Sequence, residues 1–379
     1  MSDDDLVFGM GAEPVARRDW PSLTTDEVEA VLGDPAAEIE WRSPRPLSTT
    51  ARIRTADGRR LIVKRLPRSL RTPEALAEEH GFMNHLRERG IPVPRAWTAG
   101  AHGDFVYEAQ ELGAGEDRYQ HVFSWTPYSP AFHAGPAGAM LGRLHTAAVG
   151  HDAPARPWRP LKSGFSIFGA ADPIAAIERI AAERPQLGDF LAARDWQADF
   201  EQLMLPFHQR LAPLRDDLEP LWTHNDWHGT NLLWTDDGHA VSITVVLDFG
   251  LADRTTAVYD LAIAVERFAV DWVSLRDGGP ANIPWRQLQA FLDAYTAVRP
   301  LSRAESSALP LLFPVANAEY ELSEIDYFLS VVPGGNEKNA EIAYRDWFVG
   351  HLKWALGFSK SGAEEGQAFL GLLGGESPV

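Results

Sequence analysis

The run His224-Asn225-Asp226-Trp227-His228-Gly229-Thr230-Asn231 places an aspartate five residues before an asparagine, and Asp248-Phe249-Gly250 begins seventeen residues after Asn231. Two carboxylates and a carboxamide at this spacing form a hard-oxygen set suited to phosphoryl transfer. Asp226 would orient an attacking hydroxyl, while Asn231 and Asp248 would hold Mg²⁺ on the donor phosphates. The segment Ile243-Thr244-Val245-Val246-Leu247 is short and β-branched, which predicts a strand whose C-terminal end turns Asp248 towards a cleft. Read as a zinc-hydrolase centre, the same loop lacks the further His or acid ligands and the second shell that such a site needs.

Donor phosphates also need a cation. Ala51–Thr55 and Leu61–Leu66, joined by the turn Ala56-Asp57-Gly58-Arg59, predict a β-hairpin in which Lys64 shares a face with Ile62 and Leu66. An ammonium on an apolar strand face needs a partner or a ligand. Thr72 as N-cap, Pro73 in the first turn and Gly90 beyond the last delimit a helix. On that helix Glu79 has Ala75, Leu76, Phe82, Met83 and Leu86 as its helical neighbours. Glu79 is therefore the expected partner of Lys64, either as a phosphate-ordering pair or as a plain structural ion pair. After the rigid connector Gly90–Pro94, a strand over Phe105–Leu112 should end in an interlobe hinge, with backbone near Ala109–Glu111 reading an adenine. A short helix over Leu23–Leu32, opened by Thr24 or Thr25, precedes all of this.

The chain has 379 residues, 45% of them hydrophobic and 13 of them Trp, enough to bury the core of two lobes. Its 35 basic and 53 acidic residues leave a net charge of -18, which opposes binding to nucleic acid and to anionic membranes. A cationic or neutral substrate suits that charge, and so does a surface acidity that serves only solubility. There is no cysteine, so disulfides, thiolate catalysis and Cys-based zinc sites are excluded. The acidic start, Met1-Ser2-Asp3-Asp4-Asp5, and the want of a long apolar run lead to the expectation of a cytoplasmic protein without a membrane span.

In order along the chain come Lys64, Glu79, the hinge, a helix ending in Leu141-Gly142-Arg143-Leu144-His145, His224-x-Asp226-x₄-Asn231, Asp248-Phe249-Gly250 and Asp260-Leu261-Ala262. This series resembles the aminoglycoside phosphotransferase and choline kinase superfamily over roughly residues 40 to 360. The resemblance implies an α+β, protein-kinase-like bilobal fold with an antiparallel N-lobe sheet and a mainly helical C-lobe. It also implies ATP, or GTP, with Mg²⁺, and phosphorylation of a small molecule's hydroxyl. Carried over residue by residue, Asp226 is the catalytic base or hydroxyl-positioning group, Asn231 and Asp248 are metal ligands, and Lys64, held by Glu79, contacts the donor phosphates. His224 orders the catalytic loop and Asp260 braces it. The division expected is an N-terminal segment with a short helix over 1–40, an N-lobe over 41–111 and a C-lobe over 112–379 with an insertion over about 146–220.

The phosphate-covering turn departs from the family pattern: Pro44-Arg45-Pro46-Leu47-Ser48-Thr49-Thr50 has no glycine, so Ser48 and Thr49 hydroxyls are expected to replace backbone donors. His145 and His224 lie 79 residues apart, and Asp248 and Asp260 only twelve, which leaves no room for the activation segment of a protein kinase. The insertion, with Trp158, Trp196 and a helical stretch from Pro173 to Leu211, is expected to cap an acceptor pocket. His228 is expected to pack beside the loop. Glu319–Phe328 carries four acids and three aromatics on a helix, and reads either as a solvated acidic face over an aromatic stripe or as part of that pocket. With Asp253, Glu266 and Asp271, its Glu321 and Glu324 favour an amine-bearing acceptor: an aminoglycoside, amino sugar, amino alcohol or hydroxy amino acid. Beyond the helix holding Trp347 and Trp354, residues 361–379 are expected to fray. A non-catalytic nucleotide-binding regulator on the same fold and a protein Ser/Thr kinase are the other readings.

Overall fold

Alternating apolar positions build a five-stranded antiparallel sheet from β1 (Glu38–Arg42), β2 (Thr49–Arg54), β3 (Arg60–Pro67), β4 (Ala96–His102) and β5 (Phe105–Glu111), in the order β1-β2-β3-β5-β4. The computed structural model describes residues 19–34, 37–43, 49–122, 124–236, 241–360 and 372–373. Ser48 and most of the glycine-free turn, like nearly all of the tail, therefore lie outside the described residues.

Strand parity decides what each sheet face can do. Thr49, Ala51 and Ile53 pair with Arg65, Val63 and Leu61, and that face is covered by helix α1 (Thr25–Leu32) through Leu23 and Val28. Thr24 and Glu27 form a capping box that starts α1. Glu27 then reaches the sheet, accepting from Arg65 Nη1 at 2.5 Å and from the Tyr107 hydroxyl at 2.8 Å. The opposite face presents Thr50, Lys64 and Glu108 side by side in register. Helix α2 (Pro73–Glu88), capped by Thr72 and ended near Gly90, buries Leu76, Glu79, Phe82, Met83 and Leu86. Gly113 follows β5 where a Cβ would sit 2.1 Å from Val245 Cγ2, so only glycine lets the chain pass from the sheet to the helical part here.

In the helical part, α3 (Ala134–Ala148) is followed by α4 (Pro173–Glu183), α5 (Pro185–Ala192), α6 (Trp196–Leu203) and α7 (Leu205–Leu211). Two small antiparallel pairs frame the loops of interest: β6 (Pro220–Thr223) with β9 (Asp253–Thr256), and β7 (Leu232–Asp236) with β8 (Val241–Val246). Next come α8 (Ala257–Ala269), α9 (Trp272–Arg276), α10 (Trp285–Val298), α11 (Arg303–Leu312), α12 (Ala318–Ser330), α13 (Glu337–Ile342), a π-helical stretch over Ala343–Val349 and α14 (Gly350–Lys360). All of α8 is buried, and α3 meets α10 so closely that a Cβ on Gly138 would lie 2.1 Å from the Phe291 carbonyl. One apolar cluster runs from Phe82 on α2 through Trp222 and Tyr259 to Trp347, and so ties α2 to the helical core.

The insertion packs against the C-terminal helices. It buttresses α12: Ser166 and the Ile167 amide donate to Glu319, the Lys162 amide donates to Ser323, and Arg184 grips Asp326 with Nε and Nη2 at 2.7 and 3.1 Å. Among the described residues no helix is long and apolar enough to cross a membrane.

Candidate active site

The loop after β6 is shaped by Asp260. This carboxylate, fully buried near the start of α8, accepts the amides of His224 at 2.9 Å and Asn225 at 2.8 Å and also meets His145 Nε2 at 3.0 Å. His224 Nε2 donates to the Leu247 carbonyl at 2.8 Å and its Nδ1 accepts the Asp226 amide at 3.2 Å, which ties the loop to the end of β8. Asn225 holds a left-handed backbone with φ 60°, a conformation that asparagine tolerates better than most residues, and Thr223 and Thr255 donate to its side-chain oxygen. These restraints aim Asp226 away from the core.

Asp226 is held by three side chains. Arg267 Nη2 donates to Oδ1 at 3.1 Å, His228 Nε2 stands 3.2 Å from the same oxygen, and Asn231 Nδ2 donates to Oδ2 at 3.0 Å. Burial alone would raise the Asp226 pKa, but His228 and Arg267 outweigh it and keep the group ionised far below the usual carboxylate range. His228 is thus more than packing. Asn231 gives the same NH₂ to the Asp226 carbonyl at 2.9 Å, which leaves its own carbonyl oxygen as the end available to a hard cation.

Asp248 ends the strand as expected and also takes a left-handed backbone, with φ 55°. Its side chain is 42% exposed and faces Lys64, whose Nζ donates to Oδ1 at 2.8 Å. Burial would lower the Lys64 pKa and raise that of Asp248, yet their pairing reverses both shifts, so the two stay charged. An aspartate carboxylate in a cleft, a free carboxamide oxygen on Asn231 and a neighbouring ammonium are a fitting donor set for Mg²⁺ bound to nucleotide phosphates.

Three sequence expectations need correction here. Glu79 does not pair with Lys64. It meets Arg71 Nη1 at 2.7 Å and Arg156 Nη1 at 3.2 Å, because the insertion sends Arg156 and Arg159 across α2, where Arg156 also reaches Glu78 at 3.4 Å. The acid beside Lys64 on its own face is Glu108, which His80 holds at 3.0 Å. Thr49 sits on the α1 face, bonded to Arg65, one residue out of parity with Lys64, so its hydroxyl does not face the cleft. Glu111 ends β5, but its amide already donates to the Arg95 carbonyl at 2.9 Å and is not free to read a base.

Beyond Asp226 lies a second polar group of side chains. Arg267 passes over the rings of Trp125 and Tyr320 at 5.5 and 5.7 Å, and Glu266, Glu321 and Glu324 lie buried around it. Glu321 and Glu324 interact directly, and burial raises both: Glu324 to about 7 and Glu321 well above the usual carboxylate range. Burial also pushes Glu266 up to about 7, with Arg267 opposing and Asp226 adding to the shift. The solvated-face reading of Glu319–Phe328 fails, since all four of its acids are buried. Two further acids are structural. Asp253 accepts the Arg156 and Arg254 amides at 2.8 and 2.7 Å and pairs with Lys162 at 3.1 Å, whereas Asp271 caps α9 through the Ser274 amide. Arg267 and Trp125 are the residues that sequence reasoning missed. A guanidinium seven residues after Asp260, in a helix whose other residues except Asp260 and Glu266 are apolar or aromatic, was the available signal for the first.

The chain has known relatives. A family model described as the phosphotransferase enzyme family matches residues 45–301, and the chain belongs to that family. Among curated proteins, the homoserine kinase of Rhodospirillum rubrum is 27% identical over 277 residues, 69% of this chain and 72% of that one. That of Methylobacillus glycogenes is 30% identical over 250 residues, 65% and 67% of the two chains. Among solved structures, a protein of Thermobifida fusca assigned as a fructosamine-3-kinase superposes with a TM-score of 0.52 at 23% identity, covering 88% of this chain and 98% of that one. Amicoumacin kinase hAmiN, in complex with AMP-PNP, Ca²⁺ and Ami, gives 0.52 at 14% identity, covering 83% and 87%. The chain is therefore a phosphotransferase acting on a hydroxyl acceptor, built on the bilobal kinase-like fold.

Proposed function

We propose that the protein transfers the γ-phosphate of ATP, or of GTP, in the presence of Mg²⁺ to the hydroxyl of a small amine-bearing acceptor. One observation carries the choice of acceptor: Asp226 opens onto three further buried carboxyl groups, Glu266, Glu321 and Glu324, with the Arg267 guanidinium beside them. Burial of that many carboxyl groups raises their pKa values and favours their neutral forms, and an acceptor ammonium beside them would favour their ionisation. The relatives named homoserine kinase support an amino acid that bears a hydroxyl as the leading candidate within this class.

In this reading Lys64 and Asp248 face the donor, and Asp226 faces the acceptor. Asp248 and Asn231 would hold Mg²⁺, which would neutralise charge on the donor phosphates. Asp226, ionised and fixed by Arg267, His228 and Asn231, holds the acceptor hydroxyl in line with the γ-phosphorus. A new bond forms from that oxygen to phosphorus as the bond to the nucleoside diphosphate breaks, and the hydroxyl proton passes to Asp226 or onward to water. The Asp226 pKa is so low that orientation and charge outweigh proton capture in what this carboxylate contributes.

The test is Mg²⁺-dependent release of nucleoside diphosphate across aminoglycosides, amino sugars, amino alcohols and hydroxy amino acids, with Asp226→Asn as the blank. Stimulation by one class, lost in the variant, is the expected result. Tight nucleotide binding with no turnover for any acceptor would turn the reading towards a nucleotide-binding regulator.

A further inference from the structure

The buried polar atoms beyond Asp226 fall into two chemically opposite sets that do not satisfy each other. Neither oxygen of Glu266 accepts a hydrogen bond, and Oε2 of Glu321, whose carboxyl group lies against that of Glu324, accepts none either. Nε of Arg267 and the indole Nε1 atoms of Trp125 and Trp347 donate none, although each is shielded from water. Arg267 Nε stands 3.9 Å from Glu266 Oε2 and His351 Nδ1 stands 3.8 Å from Glu266 Oε1, both too long to be hydrogen bonds. The groups are nonetheless one cluster. The Trp125 and Trp347 rings lie 5.1 Å apart, Trp347 lies 5.5 Å from His351, and Arg267 lies over Trp125.

Each unsatisfied buried donor or acceptor costs about 1–3 kcal/mol, so a cluster with several of each is stable only when something polar completes it. A ligand with a cation alone would answer the carboxylates and leave the three N–H groups without a partner. One with an anion alone would do the reverse.

We infer that the acceptor is a zwitterion: its ammonium is received by Glu266 and Glu321, and its carboxylate by Arg267 together with the indole N–H groups of Trp125 and Trp347. This rests on the proposed function above and sharpens it, because it separates hydroxy amino acids from aminoglycosides, amino sugars and amino alcohols by residues of this chain. It also gives Arg267 a double role. Its Nη2 steadies Asp226, while its Nε points the acceptor's carboxylate, so the group that recognises the amino acid also positions the carboxylate that receives the hydroxyl.

The experiment compares four acceptors that differ in one group: a hydroxy amino acid, its carboxamide, the corresponding amino alcohol without the carboxylate, and the hydroxy acid without the amine. kcat/KM is read from Mg²⁺-dependent diphosphate release, and Kd is read by calorimetry on Asp226→Asn, which separates recognition from chemistry. The zwitterion is expected to exceed each of the other three by about 10- to 100-fold, the range of one lost charge-assisted hydrogen bond. Trp125→Phe, which keeps the ring and removes the N–H, and Arg267→Gln should each shrink the ratio of zwitterion to carboxamide at least fivefold. A purely structural role would lower both acceptors together and leave that ratio alone. Equal kcat/KM and Kd for zwitterion and carboxamide in the wild-type site overturn the inference, as does a ratio unchanged in both variants. Tight binding of the zwitterion without turnover keeps the inference and removes the kinase reading; neither binding nor turnover with any of the four removes both.

Discussion

Lys64 Nζ lies 2.8 Å from Asp248 Oδ1, so the lysine of β3 and the aspartate that follows β8 tie the N-terminal sheet to the loop after β8. Neither is locked in the core: their side chains are 18% and 42% exposed. Removing Asp248 should therefore affect donor binding more than folding. Asp248→Asn is expected to weaken Mg²⁺-dependent nucleotide binding at least tenfold in a fluorescence titration, with thermal unfolding little changed. Asp226→Asn should show the complementary split: kcat lower by about a thousandfold or more, and nucleotide affinity within about threefold of the parent. Normal turnover in either variant removes that residue's assignment.

Glu79 gives a different result from the one a lysine partner would produce. It is the carboxylate among Arg71, Arg156 and Arg159, and burial together with Arg71 and Arg156 already pushes the Arg159 pKa down to about 9. Glu79→Gln removes the buried carboxylate that Arg71, Arg156 and Arg159 share and leaves only Glu78 beside Arg156, a loss on the order of 3–5 kcal/mol for a buried pair. The expected outcome is a marked fall in urea midpoint with a nucleotide KM changed by less than about threefold. A large rise in KM with stability intact would instead restore the direct Lys64–Glu79 partnership.

Why the sequence disclosed some of this and not the rest follows from where each contact comes from. The Asp226–Asn231 and Asp248 loops are contiguous, and their chemistry dictates residue types at short spacing, so they are legible in one dimension. So are α1 and α2, whose caps at Thr24 and Thr72 and end at Gly90 are local signals. Arg267 meets Asp226 from 41 residues away, and Arg156 meets Glu79 from 77, so packing alone brings them together. Thr49 was misplaced by a single step of strand parity, which moves a side chain to the other face. Four acids on α12 gave the same pattern whether solvated or buried, and only the insertion packed against Glu319 and Asp326 decided between them.

Glu266 makes stability depend on pH with a sign that can be worked out. Its ordinary value is 4.5 and burial pushes it to about 7 in the folded chain, with Arg267 and Asp226 facing it and a His351 that burial keeps neutral down to about pH 3. Between those values the folded chain keeps a proton that the unfolded chain has lost. The contribution is therefore fully present below pH 4.5, declines as pH rises and is gone above about 7, a difference on the order of 3 kcal/mol. Glu266→Gln should be little different from the parent in urea unfolding at pH 4.5 and more stable than it at pH 8, without acceptor. The same offset at both values would show that Glu266 is ionised throughout.

Asp260 tests whether the catalytic loop is held from behind. It accepts two loop amides and meets His145 Nε2, and His145 is fixed in turn by the Tyr295 hydroxyl at 2.8 Å. Asp260→Ala strands three buried donors at once and is expected to cost on the order of 3 kcal/mol or more. Asp260→Asn retains one acceptor oxygen and sets an NH₂ against the remaining donors, so it should fold while the His224–Asp226 turn loosens. The consequence is specific: kcat falls by about ten- to a hundredfold because Asp226 loses its aim, while nucleotide Kd, set by Lys64 and Asp248 on the other side of the cleft, stays within about threefold. A drop in nucleotide affinity as large as the drop in kcat would mean that Asp260 supports the whole cleft and not the acceptor loop alone.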